Sequence, residues 1–226
     1  MAPESWPPDL SVGPCALVRV GFTARPRVRY SVGMQRVGAG TLRGRVLRPL
    51  PAAIGGVRPT GSKVREAIFD RLHLGLPGAV VLDLFAGSGA LAIEAISRGA
   101  ARATLVEQHP RVLRFLAEQI REFALADRVR VVKGDARQVL RGAPAAAGGP
   151  FSLVLIDPPY EDTAALLPVV APALAAGWLL PDAVVVCEHD RTHALPAWPE
   201  GFVLEASRRY GHTGVDFLRW EGGVSR

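Results

Sequence analysis

Residues Val80-Val81-Leu82-Asp83-Leu84-Phe85-Ala86-Gly87-Ser88-Gly89-Ala90-Leu91-Ala92-Ile93-Glu94-Ala95 pass from an apolar run through two spaced glycines into an amphipathic stretch. Strand, glycine turn and helix in that order open a nucleotide-type α/β unit, whose ligands bind beyond the carboxyl ends of parallel strands. Gly87 and Gly89 let a ligand approach the backbone, and the N–H groups of the following helix point at it. The segment Gly87-Ser88-Gly89-Ala90-Leu91-Ala92 also satisfies the relaxed dinucleotide fingerprint G-x-G-x-x-A. Charge separates the two ligands. Asp83, at the strand's end, would repel a pyrophosphate but would favour the α-ammonium group of a sulfonium cofactor. S-adenosylmethionine is therefore the expected cofactor, with Asp83, Phe85, Ala86, Gly87 and Gly89 as its contacts in this turn.

The pattern of apolar runs ending in acids repeats downstream. Ala103–Glu107 closes on an acid 24 residues after Asp83, a spacing suited to holding the hydroxyls of a ribose, with Gln108 beside it. Val129–Ala136 ends at Asp135 and Ala136, where Asp135 could accept from an adenine amine or form an ordinary Gly-Asp turn. Four strands thus end at Asp83, Glu107, Asp135 and Asp157, and one rim of an open parallel sheet would carry all four acids.

The last of these strands, Phe151–Ile156, runs into Asp157-Pro158-Pro159-Tyr160. The Asp157 carboxylate and the Pro158 carbonyl can both accept from one exocyclic NH2 group. Pro158 and Pro159 lack N–H donors and restrict the backbone, which holds those acceptors in place. Tyr160 presents a flat face on which a planar ring can stack. The same four residues can also be a plain strand-ending turn, but the cofactor turn upstream favours a receptor for a nucleobase amine.

In this order the motifs resemble a class I S-adenosylmethionine-dependent methyltransferase, most closely the RsmD-type family that methylates guanine N2 in small-subunit (16S) ribosomal RNA. Further matching segments are Arg58-Pro59-Thr60-Gly61-Ser62-Lys63-Val64-Arg65-Glu66-Ala67-Ile68-Phe69, Gly99-Ala100, Gly177-Trp178-Leu179, Glu188 and Tyr210-Gly211. The similarity spans about Met34 to Trp220, and Gln119 departs from it where the family usually has Asn. The resemblance implies a mostly parallel seven-stranded sheet with helices on both faces. It also implies a partly assembled small ribosomal subunit as partner, and a monomer.

Charge adds to this. Residues 1–75 carry 12 Arg/Lys against 4 Asp/Glu, net +8, and the remaining 151 carry net −2. A basic arm beside a base-amine receptor predicts a nucleic-acid substrate, with Arg43, Arg45, Arg58, Lys63 and Arg65 as phosphate contacts. The expected organisation is an unordered extension over 1–33, and a basic hairpin (35–50) and helix (62–74) within 34–75. The methyltransferase domain follows over 76–226, with a flexible connection at Gly142–Pro150. Cys15 and Cys187 lack metal-ligand spacing, and the amino terminus has no secretory pattern, so a reducing, cytoplasmic setting is expected. The uncharged run Thr163–Pro181 is broken by prolines and reads as a buried helix, so no membrane association is expected. Glu188-His189-Asp190 with His193 is placed in a loop, and no metal is expected there; Glu188 is alternatively a strand-end contact near the rim.

Other functions fit less well. An amino methyltransferase acting on adenine N6 or glutamine N5 would usually show Asn in place of Asp157. A nicotinamide-dependent oxidoreductase needs a Tyr-x-x-x-Lys pair, and neither Lys63 nor Lys133 has Tyr four residues earlier. A silent RNA-binding module would not need an intact cofactor turn.

Overall fold

A computed structural model describes residues 35–50, 61–159, 162–192 and 195–222. The expectations for residues 1–33, Arg58, Tyr160 and His193 lie outside the described residues. A short hairpin, β1 (Gln35–Arg36) with β2 (Val46–Leu47), precedes α1 (Ser62–Leu72). The main sheet contains β3 (Val80–Asp83), β4 (Arg102–Glu107), β5 (Val129–Lys133), β6 (Phe151–Ile156), β7 (Leu179–Asp190), β8 (Phe202–Tyr210) and β9 (Thr213–Trp220). Their order is β5-β4-β3-β6-β7-β9-β8; the first five are parallel, and β9 and β8 close the edge antiparallel. This is the expected class I methyltransferase arrangement. The chain winds outward from β3 and then returns to lay β6 on its other side. The switch point where such sheets bind ligands therefore lies between Asp83 and Asp157.

Alternation along the strands divides the core. Val81, Leu153, Leu155, Val186 and Phe217 face α1, α2 (Ala90–Ser97) and α3 (Pro110–Glu122). Leu82, Val154, Ile156, Val185, Cys187 and Leu218 face α4 (Ala136–Val139) and α5 (Thr163–Ala175). The uncharged run at 163–181 thus covers the sheet with a 13-residue helix. No helix among the described residues is long and apolar enough to cross a membrane. Residues 142–150 are not a loose connection. Pro144–Ala147 forms a 3-10 turn, with Ala147 buried and its carbonyl accepting from Thr104 Oγ1 at 2.7 Å. Ala143, Ala145 and Ala146 stay exposed, and Ala147 alone is short enough to pack against the sheet.

The hairpin and α1 share the sheet's core, since Val37, Leu47, Ile68 and Phe69 join the same cluster as Val81 and Ile93. A buried carboxylate fastens them. Glu94, on α2, accepts from the Gly38 and Ala39 backbone N–H groups (2.9 and 3.1 Å) and pairs with Arg65 (3.4 Å) and Arg98 (2.8 Å). Ser97, one turn further on, accepts from Leu42 N at 2.9 Å. Gly40, at φ +82°, brings the hairpin so close that an added Cβ would lie 1.8 Å from the Ser97 carbonyl oxygen. Breaking a buried ion pair from one side leaves an uncompensated charge. Glu94→Leu should therefore cost about 3–5 kcal/mol in urea unfolding, because it strands Arg65 and two N–H groups in a dry interior. A loss below about 1 kcal/mol would contradict this role for Glu94.

Candidate active site

Register sets the rim. Asp83 pairs with Leu155, and Ile156 pairs with Cys187, so Asp157 and Glu188 are the next residues outward on β6 and β7. Asp83, Asp157 and Glu188 share the parity of Val81, Leu155 and Val186, so all three leave the sheet on the face covered by α1 and α2. Asp83 is 1% exposed, and neither of its carboxylate oxygens has a hydrogen-bond partner of normal geometry among the described residues. Its pKa is pushed up to about 7, first by burial and then by repulsion from Asp157. The Phe85 and Ala92 N–H groups lie near enough to ease the shift but do not satisfy the carboxylate. Glu188 is 2% exposed, and its Oε1 is likewise unpartnered among the described residues. Burial, then Asp157 and Asp83, drive its pKa well up, and Arg65 acts against them.

The glycine turn is held from several sides. Gly87 and Gly89 adopt φ of 50° and 75°, and a Cβ on Gly89 would meet Leu116 Cδ2 at 2.9 Å. Ala86 N–H donates to Val106 O at 3.1 Å, while Phe85 is half-buried against the opposite cluster. Glu107 accepts from Gly87 N at 3.2 Å and His109 N at 2.8 Å, one bond to each oxygen. Each oxygen keeps a lone pair for a ribose hydroxyl. Gln108 stands exposed at the end of β4. Asp135 caps α4 through Arg137 N (2.8 Å) and pairs with the Arg137 guanidinium, which holds its carboxyl below the usual range. Only Oδ2 then retains room for an adenine amine, and Ala136 is buried behind it. Gln119, where the chain departs from the family's usual Asn, is fully buried. It bridges the turn to the basic arm, since Nε2 donates to Ser88 O and Oε1 accepts from Arg48 N at 2.8 Å.

Asp157 is half-buried, Pro158 is buried, and Pro159 is exposed, its carbonyl accepting from Asp162 N at 2.9 Å. Acceptors at 157–158 therefore stand beside the switch point and the unpartnered Asp83.

The expected phosphate contacts divide. Arg43 and Lys63 are exposed and make no ion pair among the described residues. Arg45 is exposed but turns its guanidinium to the last carbonyls of α3, donating to Phe123 O at 3.4 Å and stacking 4.1 Å over the Phe123 ring. Arg65 is a correction. At 2% exposure it cannot meet a phosphate, because it donates to Gln35 Oε1 and Arg36 O (both 2.7 Å) and pairs with Glu94. The loop assigned to Glu188-His189-Asp190 is also corrected. These residues end β7, where alternation sends Glu188 to one face and His189 to the other, 3.6 Å from Asp216. No group of three or more potential metal-ligating side chains gathers among the described residues. The alternative reading of Glu188, a strand contact near the rim, fits this arrangement, because Val184, Val186 and Glu188 share one alternating face of β7.

A family described as conserved hypothetical protein 95 matches residues 35–219. Ribosomal RNA small subunit methyltransferase D of Escherichia coli (strain K12) is 36% identical over 184 residues, covering 79% of this chain and 86% of its own. The solved structure of the Escherichia coli protein yhhF, described as a methyltransferase, superposes with a TM-score of 0.74. It is 33% identical and covers 84% of this chain and all of its own. An RNA methyltransferase from Salinibacter ruber in complex with S-adenosyl-L-homocysteine shares the fold at 18% identity (TM-score 0.55, 74% of this chain and 96% of its own). Matched across most of its length by motif, sequence and fold, the chain belongs to the conserved hypothetical protein 95 family, the RsmD type that its motifs resemble.

Proposed function

We propose that this chain transfers a methyl group from S-adenosylmethionine to the exocyclic N2 of one guanine in small-subunit (16S) ribosomal RNA. The observation that carries it is the adjacency of two receptors at the switch point. The Asp157–Pro158 acceptors sit beside the buried, unpartnered carboxylate of Asp83 and the glycine turn. The name of the Escherichia coli relative supports the RNA class, and the ligand in the Salinibacter ruber structure supports the cofactor. The substrate is a partly assembled small subunit, met by a single copy of the chain through Arg43, Lys63 and, outside the described residues, Arg58.

The residues present fit the cofactor. Asp83 offers an α-ammonium group a buried carboxylate whose oxygens have no well-formed hydrogen bond among the described residues, Glu107 offers two lone pairs to a ribose, and the turn leaves α2 uncapped by any side chain. When bound, S-adenosylmethionine supplies a methyl group on cationic sulfur that leaves as a neutral thioether. Everything else falls to the protein. The amine of guanine is a poor nucleophile because its lone pair is delocalised into the ring. Hydrogen bonds from its two N–H groups to Asp157 and the Pro158 carbonyl favour pyramidal nitrogen and aim the lone pair at the methyl carbon. Placement then supplies much of the acceleration. The surplus proton leaves the nitrogen after transfer, towards Asp157 or solvent, so Asp157 is an acceptor first and a base second. The base must be unstacked to reach this pocket, where Tyr160 is proposed to stack on it.

Asp157→Ala should lower kcat on the order of 100-fold or more while leaving S-adenosylhomocysteine affinity within about threefold. Equal losses in both would rule out this role. Ribosomal RNA from cells lacking the protein should miss one N2-methylguanosine by mass spectrometry, and an unchanged methylation map would refute the function. Asp83 adds a pH signature. Its folded pKa near 7 lies above the ordinary carboxyl value, so the folded protein holds the extra proton and stability falls as pH rises between about 4 and 7. A bound ammonium favours the ionised form. At about pH 6.5, calorimetry in buffers of different ionisation enthalpy should show proton release on S-adenosylhomocysteine binding, and Asp83→Asn should abolish that release.

A further inference from the structure

The acceptors assigned so far leave one buried carboxylate unused. Glu188 lies one position beyond the Ile156–Cys187 pair, directly across from Asp157 on the neighbouring parallel strand, and on the same face. Strands lie about 4.8 Å apart, so the two side chains can converge on adjacent atoms of one planar ligand. Its Oε1 is unpartnered among the described residues at 2% exposure, a costly state unless a donor arrives. The Arg65 guanidinium, which Glu94 fixes on α1, lies close enough to favour the ionised carboxylate. The site thus offers acceptors on adjacent strands with a counter-charge behind them.

Among the four ordinary RNA bases only guanine sets two donors side by side on its Watson–Crick edge, the N1–H and the N2 amine. Adenine and cytosine place an acceptor next to their amine, and uracil has a single N–H between two carbonyls. We infer that Glu188 is a specificity-determining residue, whose Oε1 accepts the N1–H of the target guanine while Asp157 and the Pro158 carbonyl accept from its N2 amine. This rests on the guanine-N2 function just proposed. Selection then follows from the pairing, because guanine's N1–H offsets the cost of ionising Glu188, whereas a base with an acceptor at that position gives its carboxylate no donor.

The test replaces the target guanine with 2,6-diaminopurine in small-subunit RNA assembled with its proteins. That base keeps the reacting amine at C2 and loses only the N1 proton in favour of a lone pair (with an amine for the carbonyl at C6). The wild-type protein should methylate the diaminopurine RNA with kcat/KM lower by roughly one to two orders of magnitude. Glu188→Gln, whose amide can accept from guanine N1–H or donate to diaminopurine N1, should narrow that ratio to within a few fold. Equal use of the two RNAs by the wild-type protein would overturn the inference without any variant. So would a Glu188→Gln protein that loses activity on both in proportion, which is the mark of a merely structural residue. Failure to methylate the guanine RNA itself is a separate result, and it would sink the parent function.

Discussion

Repulsion among carboxylates gathered at one end of a sheet is the constraint around which this molecule is arranged. Asp83, Asp157 and Glu188 emerge on one face, two of them almost fully buried; Asp157 raises the charging cost of both Asp83 and Glu188, and Asp83 adds to that of Glu188. A low-dielectric interior does not tolerate that without a counter-charge or a ligand. Arg65 supplies part of the answer from α1, and Glu94 keeps Arg65 in place. The rest would fall to the cationic and N–H-rich ligands proposed for the site. Site and scaffold are therefore one electrostatic system, with the same helix covering the core and neutralising the rim.

The sheet and the cofactor turn were legible because their signals are contiguous. An apolar run ending in an acid, followed by spaced glycines, needs no tertiary information to interpret. Hence Asp83, Glu107 and Asp157 fall on one rim as the sequence implied. Arg65 was misread because helical periodicity sorts residues by hydrophobicity, and a charged residue on an apolar helix defaults to solvent. Only the distant Glu94 reveals it as an interior residue. The segment around Glu188 was read as a loop, with a strand-end contact at Glu188 as the alternative, because β7 carries an irregular start, with Asp182 at φ 58°, that hides the alternation of its second half. The 142–150 stretch was misjudged for the opposite reason, since its small residues resemble a linker while Pro144–Ala147 forms a 3-10 turn that buries Ala147.

The basic arm also changes character in three dimensions. Its excess charge is real, yet Arg48 is tied to Glu118 and Glu122, and Arg45 is spent on the carbonyls that end α3. Part of the positive charge glues the arm to the domain, and a smaller set is left facing outward. Counting arginines overstates the surface offered to phosphate.

Gln119 gives that attachment a further meaning. One amide spans directly from the Arg48 backbone to the Ser88 carbonyl, so the arm and the glycine turn are mortised through one side chain. Trimming the chain back past Arg48 would leave both the amide oxygen and its anchorage without a mate in the interior. Residues 35–50 are on this account no detachable tail, and a protein lacking them would carry a loosened glycine loop as well as a smaller charge.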